Sequence, residues 1–85
     1  MTTERIRELI RADRLELFYN SGAWLRLRAQ VLVMDHHECQ ECKKRGKYTR
    51  ATVVHHVNRL KSRPELALSM WYESKGEKRR NLVSV

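Results

Sequence analysis

Apolar residues recur along the first third of the chain at close to helical spacing. From Thr3 to about Tyr19, the residues Ile6, Leu9, Ile10, Leu17 and Phe18 interrupt a charged background, which predicts one amphipathic helix with an exposed Arg face. Asn20 and Ser21 offer an N-cap for a second helix from about Gly22 to Met34. That helix is expected to bury Trp24, Leu27, Val31 and Met34 as core and to show Arg26 and Arg28 on its other side. Beyond it the pattern changes. Asp35 to Tyr48 holds both cysteines and the cations Lys43, Lys44, Arg45 and Lys47 around Gly46, the make-up of a knuckle and an exposed loop. Ala51 to Val57 is rich in β-branched residues and predicts a strand carrying His55 and His56. Arg63 and Pro64 open a short helical turn to about Ser69, the polar stretch around Gly76 reads as a loop, and Asn81 to Val85 reads as a second strand. Trp71 and Tyr72 are expected to pack over the hairpin of the two strands. The fold class is therefore α+β, with two N-terminal helices followed by a Cys turn and a pair of strands.

Composition narrows the picture. Eighty-five residues, 41% of them hydrophobic, suffice for one domain, with residues 1–34 helical and 35–85 holding the knuckle and strands. A core of that size is marginal, so a metal staple would help it. The formal charge of +8 and pI near 10.1 favour a polyanionic partner such as nucleic acid; an anionic membrane surface fits less well. Twelve of the eighteen basic residues are Arg, whose planar fork suits phosphate, although many can simply be solvated helix faces. No apolar run approaches the roughly 18 residues of a membrane span, and Met1 to Arg14 is too charged for a signal peptide, so a cytoplasmic protein is expected.

Cys39 and Cys42 form a C-x2-C pair, a spacing that in a reducing compartment points to metal or redox chemistry more than to a disulfide. A structural zinc site needs four ligands, and this turn supplies two. His55 follows Cys42 at the spacing of a zinc finger, but its only follower, His56, is adjacent and on the same strand. Neighbouring strand residues point to opposite faces and do not easily grip one ion. His36 and His37 read as exposed loop residues that stack or contact phosphate. An opposite-facing His pair suits a different chemistry, in which one imidazole binds a catalytic divalent ion while its neighbour takes a proton from an attacking water. The alternative is a pair of ordinary strand histidines, one buried and one solvated.

The run Phe18 to Cys42 (FYNSGAWLRLRAQVLVMDHHECQEC), TVVHHVNRL at 52–60 and RNLVSV at 80–85 together resemble the HNH endonucleases, particularly small phage-type members. The resemblance implies a ββα-metal element and DNA cleavage with one divalent ion, Mg²⁺ or Mn²⁺. It implies His56 as the general base, His55 as a ligand of the catalytic ion, and Asn81 as the residue that fixes the loop around the base. Cys39 and Cys42 match half of a structural Zn²⁺ site. In the family, the segment like NLVSV runs into a second C-x2-C and a His on the final helix. This sequence ends at Val85, so that helix and those ligands are expected to be missing; a chain cut short explains this better than a natural truncation or ligands from a partner copy.

Arg59, Lys61 and Arg63, just past the His pair, are candidates for contact with the DNA backbone, as are Arg26 and Arg28. Phage DNA-packaging proteins are partners by analogy, in a host-cell cytoplasm. The competing reading is a non-catalytic basic DNA-binding module, gripping phosphates through the helices from Arg5 to Arg28 and the loop from Lys43 to Lys47.

Overall fold

A computed structural model describes all of residues 1–85. The order of elements is α1 (Thr3–Arg11), α2 (Leu15–Tyr19), α3 (Gly22–Met34), α4 (Gln40–Lys44), β1 (Val54–His56), a 3-10 turn (Pro64–Leu66), β2 (Trp71–Ser74), β3 (Glu77–Arg80) and β4 (Leu82–Ser84). No helix is long and apolar enough to cross a membrane.

The first helix starts where the Thr2 hydroxyl accepts from the Arg5 N–H at 3.1 Å. It does not reach Tyr19. Asp13 takes a left-handed conformation (φ 55°), Arg14 N–H donates to Leu9 O at 2.8 Å and Asp13 N–H to Ile10 O at 3.1 Å. This Schellman closure uses one of the few non-glycine residues that tolerate such a φ, and the chain restarts as α2. Three helices rather than two therefore precede the cysteines. The same closure ends α3 at His36 (φ 54°) and α4 at Gly46 (φ 73°), with His37 N–H reaching Leu32 O and Lys47 N–H reaching Cys42 O.

Ser21 caps α3, its hydroxyl accepting from the Trp24 N–H. The buried face of α3 is Trp24, Val31 and Leu32, which pack with Ile6, Leu9, Phe18, Val54, Leu60, Ala67 and Leu82. Met34, expected in the core, is 39% exposed because the helix turns Leu32 inward instead.

The strands form two antiparallel pairs. β1 pairs with β4 in the register Val54↔Ser84, His55↔Val83 and His56↔Leu82, and Val53 and Val85 extend it by mutual backbone bonds. Alternation puts Val54, His56, Leu82 and Ser84 toward the helices and leaves His55 outward. The predicted strand from Ala51 is thus shorter than its composition suggested. β2 pairs with β3 across Lys75 and Gly76, whose φ values of 53° and 77° make the two-residue turn that matches strand twist. The stretch expected to be a loop is this hairpin. Trp71 lies on this hairpin rather than in the core: it is 39% exposed, with Lys78 Nζ 4.8 Å from the ring centroid.

A polar lock fastens α3 to the strands. Asp35, buried at the α3 C-cap, accepts a two-pronged bond from Arg80 at 3.1 and 3.0 Å and a third from the Ser84 N–H at 3.1 Å. Burial by itself raises the Asp35 pKa, but Arg80 and Ser84 outweigh it and hold the carboxyl below its ordinary range.

Candidate active site

His56 reaches the helices from the inner face of β1 and is half-buried. Its Nε2 lies 2.9 Å from the Ala67 carbonyl oxygen. A carbonyl only accepts, so Nε2 carries the proton; in the neutral ring Nδ1 then holds the free lone pair. The ring sits among Trp24, Phe18 and Tyr19, with centroids at 4.8, 6.3 and 6.4 Å. Burial lowers the His56 pKa; the Ala67 carbonyl pulls the other way, His55 adds to the lowering, and the net shift favours the neutral imidazole.

Asn81 builds the surroundings of that carbonyl. It is fully buried, and its Oδ1 accepts from Asn58 N–H at 3.1 Å and Asn58 Nδ2 at 2.8 Å. Its Nδ2 donates to the carbonyls of Leu66 and Ser69, both at 2.9 Å. Because those two groups only accept, the orientation of the amide is fixed. Its backbone adds a bond to Met70 O and one from Val57 N–H. Asn81 thus clasps the chain just after β1 to the segment that presents Ala67.

A groove of about 570 Å³ opens beside these residues, lined by Tyr19, His55, His56, Arg59, Lys61 and Ser62 together with apolar side chains. Of the candidate cations, Arg59 and Lys61 meet the His pair there. Arg63 turns instead to Glu65. Arg28 donates to Thr52 O at 2.7 Å, and the Arg26 guanidinium folds back over Gly22, so neither lines the groove. Tyr19 and Ser62 are groove residues that no motif in the sequence singles out. The available signal for Tyr19 is its place in the FYNSGAW run.

The metal-ligating side chains form two incomplete sets. His55 is exposed on the groove and is chemically suited to a divalent ion, yet no three His, Cys, Asp or Glu side chains come together. Cys39 caps α4 and receives the Cys42 N–H at its Sγ (3.4 Å), while its own N–H is held by Thr49 O at 2.8 Å. Bonds from Thr49 and from Cys39 hold the Cys42 thiol below its ordinary pKa, and Arg45 and Lys47 add to this. The pair is shaped as a knuckle but offers two ligands.

Neither a protein-family model nor a curated protein sequence matches the chain. Among solved structures it is similar to an HNH endonuclease of the deep-sea thermophilic bacteriophage GVE2, crystallised with manganese ion. The two are 34% identical, with a TM-score of 0.62, over 79% of this chain and 67% of that one. Fold, motif order and this similarity agree: the chain belongs to the HNH endonuclease family.

Proposed function

We propose that this protein hydrolyses phosphodiester bonds in DNA, nicking or cleaving it, with His56 as the general base. The reading rests above all on the His56 ring, whose Nε2 is committed to Ala67 O while Nδ1 has no protein partner beside a groove holding Arg59 and Lys61. A neutral imidazole of this kind takes the proton of a water as the water attacks phosphorus. Arg59 and Lys61, which line the same groove, take the DNA backbone, and Asn81 keeps the Ala67 carbonyl against the base. A divalent ion such as Mg²⁺ or Mn²⁺ would supply charge stabilisation at the phosphate, and His55 is the residue of this chain that would help to hold it. Cys39 and Cys42 would form half of a separate, structural Zn²⁺ site.

The test is metal-dependent nicking of supercoiled plasmid, with His56→Ala in parallel. Substitution is expected to lower the rate by about 10²- to 10⁴-fold while DNA affinity stays unchanged. One observation favours the second reading, a non-catalytic DNA-binding module: His55 is not part of any cluster of three His, Cys, Asp or Glu side chains. In that case wild type and His56→Ala behave alike, and binding falls steeply with salt.

A further inference from the structure

A single hydrogen bond fixes a point on the imidazole but not its plane, because the torsion that turns the ring about Cβ–Cγ is broad. His56 has a second constraint. The Trp24 indole stacks on it with centroids 4.8 Å apart and planes 20° from parallel. That indole cannot swing aside. It is 4% exposed, Phe18 lies against it at 5.5 Å, and Tyr19 meets it edge-on at 5.8 Å and 82°. Its backbone is also pinned, since Ser21 Oγ accepts from Trp24 N–H at 3.3 Å and donates to Phe18 O at 2.6 Å.

From this geometry we infer that Trp24 is a positioning residue for the base. It fixes the plane of the His56 ring so that Nε2–H stays on the Ala67 carbonyl and Nδ1 stays free on the groove side. This inference rests on the reading of His56 as the base. Its structural half is measurable without turnover.

The experiment compares wild type with Trp24→Leu, which keeps apolar bulk without a π-face, and with Trp24→Phe, which keeps a face. By NMR, wild type should show an exchange-protected His56 Nε2–H and ring protons shifted upfield by the indole. Both signatures should vanish in Trp24→Leu and largely return in Trp24→Phe. In cleavage, kcat should drop roughly tenfold in Trp24→Leu with KM within about twofold, the pattern of a misplaced reacting group. A protected Nε2–H and wild-type kcat in folded Trp24→Leu overturn the inference. Should Trp24→Leu fail to fold by circular dichroism, Ser21→Ala decides. Faster exchange at Nε2–H with the β1 amides unaffected supports the inference, and unchanged exchange overturns it. Failure of the nuclease reading has a different signature: His56→Ala leaves cleavage unaltered while the NMR response to Trp24 persists.

Discussion

Strands β2 and β3 are two residues apart in sequence, whereas β1 and β4 are separated by residues 57–81. The local pair closes through the Lys75–Gly76 turn and keeps most of its side chains in water. The distant pair has three residues in each strand and no turn of its own. Buried polar groups hold it instead: the Asn81 clasp, the Asp35–Arg80 lock and Ser84, whose hydroxyl lies near Val31 O. The ribbon carrying the histidines therefore takes its geometry from side chains that bond to backbone elsewhere in the chain. Such an arrangement positions atoms closely and fails as a unit when one member is removed.

The largest effect is expected at the distant pair. Asn81→Ala strips partners from Leu66 O, Ser69 O and Asn58, and should cost about 4 kcal/mol in urea unfolding, since each buried unsatisfied group costs roughly 1–3 kcal/mol. The His56 anchor should be lost with it. A loss below that of any turn substitution in β2–β3 would break the comparison.

Next comes the lock. Because the folded-state pKa of Asp35 lies below its ordinary value of 3.8, its contribution to stability is complete above that value and drains away as the pH falls through the lower folded one. Asp35→Asn should cost about 2–3 kcal/mol at neutral pH, near the lower end for breaking a buried pair, because Arg80 is partly exposed. The difference between variant and wild type should shrink as unfolding is followed from about pH 5 to pH 2. A difference independent of pH would place the effect in packing and not in charge.

The smallest effect belongs to the local pair. Gly76 has φ 77°, and a Cβ added there would meet open space, so Gly76→Ala should cost only the left-handed penalty, about 1 kcal/mol by urea unfolding. Cleavage of plasmid should stay at the wild-type rate. Loss of cleavage in Gly76→Ala would show that the two ribbons are coupled.

Much of the candidate site is legible in local sequence. The paired histidines, Asn81, the C-x2-C spacing and the bounds of α3 with its Ser21 cap all carry signals within a few residues. The break at Asp13 did not, because one left-handed residue leaves hydrophobic spacing intact on both sides. The second hairpin was hidden by its charge and by a Lys-Gly turn where Asn-Gly is the stronger cue. Asp35 and Arg80 are 45 residues apart, so nothing local announced their pairing. The helical spacing of Trp24 predicts a core residue. It is core, and the group it packs against is the histidine at the groove.

The long separation of β1 from β4 also sets an order of events. His56 leaves the ribosome 26 residues ahead of Leu82, its partner in register. A nascent polypeptide that has released both histidines but not residues 81–84 has neither sheet nor clasp, and Ala67 is not yet held to the ring. The order of synthesis thus imposes a delay: the groove assembles only after residues 81–84 have emerged and can dock beside β1.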